Sequence, residues 1–476
     1  MHPQSASITS ENMILATDFY QLTMIAAYYQ YALEHDLSNA EDRATFELFV
    51  RQFPKNRNYL VAAGLEQVVH FLTTARFTES TIDFLKKRPE FRKIDERFFS
   101  EFLPNFRFDL DVWAIEEGQF FFPHEPILRV QGPTIAAQLV ETYIISAMNY
   151  QTIVASKAAR VRSVAEDKIL LEFGTRRSHS PQAGLYAARA SYIGGFNGTS
   201  NVTADYELGI PASGTMAHSF VQKFGEMESF RIYSDIYQEK TILLIDTYDI
   251  RKGTEKATQF QETLQGVRID SGDPIAEAKK VRKILDENNC ENVGIVLSSN
   301  LDEYSIQTIL AANTPIWAFG VGTEIVTSSD DPTLSLVYKM VEANGEPTMK
   351  TSEGKLTYPG AKQIYRIYDN EGIFDHDILA LASENQPQEG TPLLRQVMNN
   401  GELIGDLPTV NKLRENCLVN CQKIPLRLKS LSEVEIPPLH LSESLLAVTN
   451  GLLKKHGKTE IDSTIPLREF SFEKSI

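Results

Sequence analysis

The chain has 476 residues, with 47 Lys and Arg against 63 Asp and Glu and a formal net charge of −16, a balance that opposes nucleic acid and anionic membrane surfaces. It leaves room for an anionic small molecule wherever a few arginines are focused in a cleft. At 42% hydrophobic and 23% charged residues the composition is that of a globular enzyme long enough for two or more domains, and three cysteines (Cys290, Cys417, Cys421) are too few for a disulfide framework.

In chain order, the opening "MHPQSASITSENMILATDFY" lacks a basic segment followed by an unbroken apolar stretch, so it does not read as a secretory signal. No run approaches the roughly 18 apolar residues that span a bilayer, and the expected setting is the cytoplasm. Residues 18–34 have helical period, with Thr17 as the expected N-cap. "RATFELFVR" (43–51) alternates as a half-buried strand, residues 59–74 return to helical period, and "DVWAIEEGQFFFPHEPILRVQGP" reads as two short strands between Pro- and Gly-marked turns. Residues 1–133 are therefore expected to form an α+β domain.

Past residue 133 the texture changes. A long helical pattern runs from Ile135 towards Val164, followed by seven short apolar runs that each end in small or polar residues: "ILLEFGTRR", "YIGGFNGTSN", "IPASGTMAH", "TILLIDTYD", "GVRIDSGD", "VGIVLSSN" and "PIWAFGVGT". Their spacing is near the ~30 residues of a βαβ unit and predicts a parallel sheet. So many consecutive units favour closure into an α/β barrel over an open sheet with two edges to protect. The barrel is expected over 134–345, ending in a hairpin near 334–355. Residues 346–476 show no periodic repeat and read as a C-terminal appendage partly packed on the first domain. Within it, "EIPPLHLSESLLAV" suggests a turn and a further helix, and Cys417-x3-Cys421 has no second pair to complete a zinc site.

In a parallel barrel the carboxyl ends of the strands share one mouth. Here they carry Arg176 and Arg177, Ser200 and Asn201, Thr215 and His218, Asp246 and Asp249, Arg268, Asp270 and Asp273, Asn300 and Thr323. Gly-Thr pairs recur at 174–175, 198–199, 214–215 and 322–323. Glycine admits a positive φ and the close approach of a ligand, and exposed amides at the following helix starts suit phosphate oxygens. A phosphate ligand is thus expected, with Arg176 and Arg177 as bidentate partners. Asp273 before Pro274 reads as a helix cap, whereas Asp270, at the end of a buried strand, is a candidate for sugar hydroxyls or a metal.

"ATDFYQLTM" (16–24), "EFGTRRSHSPQAG" (172–184), "GFNGTSN" (195–201), "GTMAHSF" (214–220), "GVRIDSGD" (266–273) and "FGVGTE" (319–324) together resemble the nicotinate phosphoribosyltransferase family, over residues 13 to 345 and in family order. The resemblance implies a type II phosphoribosyltransferase fold, an irregular parallel α/β barrel packed on an N-terminal α+β domain and active as a homodimer. It implies ATP-coupled transfer of phosphoribosyl from phosphoribosyl pyrophosphate to nicotinate, giving nicotinate mononucleotide and pyrophosphate for NAD salvage. On the same basis His218 is the transiently phosphorylated histidine, and Asp246 hydrogen-bonds its imidazole. Tyr20 (from the partner subunit) and Phe173 sandwich the pyridine ring, while Thr215 and Arg268 contact nicotinate and Asp270 contacts ribose. Arg176, Arg177, Gly320, Gly322 and Thr323 bind phosphate. Ser200 stands where related nicotinamide enzymes carry aspartate, which implies a preference for the acid over the amide. Mg2+ is implied by the pyrophosphate and ATP charges, with Asp270 as first ligand candidate.

Three alternatives compete with this reading. "ILLIDTYDIRKGT" (242–254) is similar to the ribose-phosphate loop of type I phosphoribosyltransferases, but Thr247 replaces the second acid. A quinolinate enzyme needs a second cationic cluster and no phosphorylatable His218. A nucleotide-sensing barrel without turnover has no reason to keep His218, Asp246, Asp270 and Arg268 together.

Overall fold

The computed structural model describes residues 7–35, 42–352 and 357–465, so residues 353–355 of the expected hairpin lie outside the described residues. The chain divides into two compact units, Met1–Thr152 with Leu334–Pro408 and Val419–Ile476, and Ile153–Thr333 with Thr409–Leu418. Among the described residues no helix is long and apolar enough to cross a membrane.

The first unit is built mainly on antiparallel strands. Arg43–Val50 lies between Leu336–Ala343 and Leu128–Pro133, and the sheet continues through Asp111–Ala114 to Arg395–Asn399 and Glu402–Leu403. Residues 395–403 are therefore sheet strands, which their weak alternation did not predict. A second sheet pairs Lys362–Tyr368 with Phe374–Leu381 and adds Leu439–Leu441; the helix Glu443–Lys455 follows it, as expected. Buried charge fixes the packing. Lys362 Nζ meets Glu47 at 2.8 Å, and the fully buried Arg366 donates to Asp377 at 2.9 and 2.6 Å and to the Phe120 carbonyl at 2.8 Å. The first long helix is Phe19–Glu34, and its N-cap is Asp18, one residue later than expected. Asp18 accepts a hydrogen bond from Thr142 Oγ1 at 2.8 Å rather than from its own helix.

The second unit holds the parallel sheet. Its six strands run in the order Gly198–Thr199, Ile169–Glu172, Ala318–Val321, Gly294–Ser298, Leu264–Ile269, Thr241–Leu244. The last strand in sequence thus pairs with the first, which is barrel order. The third apolar run, which begins at Ile210, gives one parallel bridge, Ala212 to Thr199, instead of a strand. The ladder is cut only between that segment and the Thr241 strand, leaving a curled half-barrel. Proline 211 explains part of the irregularity, because it has no N–H to give to a ladder.

Capping places the helices that follow the strands. Asp273 Oδ1 accepts from Ala276 N at 2.7 Å, with Pro274 opening the helix Pro274–Glu287. We expect Asp273→Ala to cost about 1 kcal/mol in a denaturant titration and to leave turnover intact. Asp249 and Asn201, expected at the reactive mouth, are caps as well: Asp249 accepts from Lys252 N at 2.8 Å and Asn201 from Ala204 N at 2.9 Å.

Candidate active site

At the carboxyl ends of these strands lies a cavity of about 320 Å3. The Ile169–Glu172 strand delivers Phe173, Arg176 and Arg177 to its wall, and the Gly198–Thr199 strand delivers Ser200. Gly214 and Thr215 come from the irregular segment, Arg268 and Asp270 from the Leu264–Ile269 strand, and Gly320, Gly322 and Thr323 from the last strand and the helix start after it. Ten of the thirteen residues that the family resemblance assigns therefore line one cavity; Tyr20, His218 and Asp246 do not. Ser298, Ser299, Asn300 and Glu324 also line it.

Arg268 is the organising cation. Its Nη1 donates to Thr215 Oγ1 at 2.7 Å, its Nε to Ser298 Oγ at 2.9 Å, and its Nη2 meets Asp270 Oδ1 at 2.9 Å. Ser298 Oγ in turn donates to Asp270 Oδ1 at 2.5 Å. Partial burial alone would raise the Asp270 carboxyl, but these hydrogen bonds and the charges of Arg268 and His218 hold it below the ordinary aspartate range. Asp270 accordingly stays ionised as pH falls through that range. The Arg176 and Arg177 side chains, by contrast, are exposed, and their guanidinium groups have no ion-pair or hydrogen-bond partner among the described residues. Two uncommitted guanidinium groups on a cavity wall are what an anionic ligand requires in a chain whose overall charge is negative.

His218 opens the helix His218–Phe224. Its Nδ1 pairs with Thr247 Oγ1 at 3.1 Å, while Nε2 stands 3.7 Å from Asp270 Oδ2 and 4.0 Å from Asp246 Oδ1. The expected Asp246–imidazole hydrogen bond is thus absent from this arrangement. Asp246 instead accepts from Asp270 N at 2.9 Å and from Ser271 Oγ at 2.6 Å, which draws its Oδ2 towards the next strand end. Its other oxygen, Oδ1, is buried without a hydrogen bond. Thr247, the residue that spoils the type I loop, is the imidazole's partner.

The Gly-Thr turns require correction. None of Gly174, Gly198, Gly214 and Gly322 has a positive φ. Glycine is needed at two of them for close approach: a Cβ on Gly174 would meet the Gly322 carbonyl at 2.7 Å, and one on Gly198 the Pro211 carbonyl at 2.5 Å. Nothing crowds Gly214. Gly320 is the glycine that shapes the cavity, since a Cβ there would overlap the Phe173 ring. The left-handed residues at the mouth are Ser299 (φ 85°) and Asn300 (φ 46°), for which no local signal exists in serine.

Tyr20 belongs to the first unit. It is 49% exposed, and its hydroxyl donates to Glu141 Oε2 at 2.8 Å; burial and the Glu141 carboxylate raise its pKa. Among the described residues no three or more His, Cys, Asp or Glu side chains are grouped to hold a metal. Asp246 Oδ1 and Asp270 Oδ2 nevertheless both stand close to His218 Nε2.

Residues 15–149 match the family model described as the nicotinate phosphoribosyltransferase N-terminal domain, and residues 169–372 match that of the nicotinate phosphoribosyltransferase family. The chain is 40% identical to nicotinate phosphoribosyltransferase pncB2 of Mycobacterium tuberculosis, across 88% of this chain and 89% of that one. It is 31% identical to the human nicotinate phosphoribosyltransferase, across 92% and 96%. The crystal structure of human nicotinic acid phosphoribosyltransferase superposes with a TM-score of 0.80 at 29% identity, covering 92% of this chain and 99% of that one.

Proposed function

The chain belongs to the nicotinate phosphoribosyltransferase family, and from that premise we propose that its 320 Å3 cavity joins nicotinate to phosphoribosyl pyrophosphate in an ATP-coupled reaction of NAD salvage. The observation that carries this is the pairing on one cavity wall of two uncommitted arginines, Arg176 and Arg177, with the tied cluster Arg268–Thr215–Ser298–Asp270. The nicotinate nitrogen forms a bond to ribose C1 as the bond from C1 to pyrophosphate oxygen breaks, and the pyrophosphate leaves with that electron pair. Arg176 and Arg177, with Gly320, Gly322 and Thr323, hold phosphate oxygens. Arg268 and Thr215 orient the nicotinate carboxylate, and Asp270 holds the ribose hydroxyls. Phe173 forms one face of the ring site, and Tyr20 of a second copy in a homodimer forms the other. Three cysteines, too few for a disulfide framework, fit action in the cytoplasm. Arg176→Ala and Arg177→Ala are expected to raise KM for phosphoribosyl pyrophosphate tenfold or more, on the order of 1.5 kcal/mol for a charged hydrogen bond. Unchanged KM values in both variants would remove the anion site from the account.

ATP coupling runs through His218. In the tautomer whose Nδ1–H donates to Thr247, Nε2 keeps its lone pair. It takes the γ-phosphoryl group as the bond to the ADP oxygen breaks, and water later releases phosphate. Two carboxylates near Nε2 would repel that group, so a cation belongs there. Asp246, whose Oδ1 is buried without a hydrogen bond, and Asp270 would be the residues to hold Mg2+ there. When bound, Mg2+ supplies charge neutralisation for pyrophosphate and ATP.

Ser200 sets acid against amide. A serine hydroxyl donates to a carboxylate that an aspartate would repel. Ser200→Asp is expected to lower kcat/KM for nicotinate about tenfold, the ~1.4 kcal/mol of one charge-assisted contact, and to raise that for nicotinamide. Parallel losses with both bases would contradict this role.

A further inference from the structure

Glu172, at the end of the Ile169–Glu172 strand, has 0% exposure. No cation pairs with it among the described residues. Burying a carboxylate without a countercharge is costly, and burial pushes its carboxyl up against the two hydrogen bonds that pull it down. A residue of pure packing would gain nothing from the charge.

Two donors explain the carboxylate. Gly174 N donates to Oε1, and Thr199 Oγ1 donates to Oε2 at 2.5 Å. Thr199 Oγ1 also accepts from Asn201 N at 3.0 Å, and with Glu172 ionised its own proton goes to the carboxylate. The ionised carboxylate thus accepts at both ends. Glutamine would set its NH2 against the Gly174 N–H, or against the Thr199 hydroxyl, whose proton would then lose its acceptor.

The tethered residues flank the ring site. Phe173 lies between Glu172 and Gly174, and Ser200 between Thr199 and Asn201; both line the cavity. The tie extends further, since Ser200 N donates to the Glu172 carbonyl at 2.8 Å and Ser213 N to the Thr199 carbonyl at 2.8 Å. We propose that Glu172 is a positioning residue for nicotinate: its carboxylate clamps two strand ends so that Phe173 and Ser200 face the pyridine ring at fixed separation. This rests on the reading of the cavity as the site of phosphoribosyl transfer to nicotinate.

The test compares wild type, Glu172→Gln, Thr199→Val and Thr199→Ser in steady-state assays that vary each substrate separately, alongside thermal unfolding. The expected result is a rise of about tenfold in KM for nicotinate, the 1.4 kcal/mol scale of a lost charged hydrogen bond, in Glu172→Gln and Thr199→Val. KM for phosphoribosyl pyrophosphate stays within about twofold, and Thr199→Ser, which keeps the hydroxyl, recovers the nicotinate KM. Unchanged nicotinate KM overturns the inference, as does an equal rise in both KM values accompanied by a fall in melting temperature. If Glu172→Gln does not fold, the Val and Ser variants of Thr199 decide on the same criterion. Wild type that makes no mononucleotide overturns the inference together with the reading beneath it. Wild-type turnover with an unaltered nicotinate KM in the variants overturns the inference alone.

Discussion

Arg268→Lys is expected to lower kcat/KM for nicotinate by about a hundredfold or more, although it preserves the charge. The guanidinium reaches Thr215, Ser298 and Asp270 at 2.7, 2.9 and 2.9 Å through three different nitrogens. An ammonium on a flexible stem cannot span those three acceptors at once. Two lost charge-assisted bonds at roughly 1.5 kcal/mol each give the hundredfold, since about 1.4 kcal/mol is a factor of ten. Steady-state assays with nicotinate as the varied substrate read the loss, and a lysine enzyme within threefold of wild type would show that charge alone suffices.

His218→Ala gives the second large effect. Mononucleotide formation without ATP is expected to persist, and stimulation by ATP to vanish, because Nε2 is the only imidazole nitrogen left open beside Asp246 and Asp270. Acid-labile phosphate transferred from labelled ATP to the protein is expected in wild type and absent from the alanine variant. Thr247→Val, which removes the Nδ1 partner, is expected to weaken the stimulation while leaving labelling detectable. Equal stimulation in wild type and His218→Ala would move energy coupling away from this residue.

The parallel strands were legible because a strand buried on both faces reads as a continuous apolar run, and six of the seven runs became strands. The run that begins at Ile210 did not, since Pro211 lies inside it and only Ala212 forms a bridge. The arginines and the Arg268–Asp270 pair were legible as polar residues at strand ends. Nothing local in the sequence marks Glu172, because its partner Thr199 is 27 residues away and only the folded sheet brings them together. Ser298 was hidden for the same reason: its donors and acceptors lie on the neighbouring strand. The division at 152/153 falls inside the continuous helix Glu141–Ala165, so no change of composition marks it. The strand at 395–399 pairs with residues 112–114, nearly 300 positions away, beyond the reach of local periodicity.

Transfer of phosphoribosyl to nicotinate in this cavity can be measured directly. Its most direct measurement follows ring-labelled nicotinate, phosphoribosyl pyrophosphate and Mg2+ through a single turnover of the purified protein, with product and pyrophosphate quantified together. One mononucleotide and one pyrophosphate are expected per nicotinate consumed, faster with ATP, with little or no product from Arg268→Lys on the same time scale. Nicotinate recovered unchanged from wild type, or equal product from the lysine variant, would contradict that transfer.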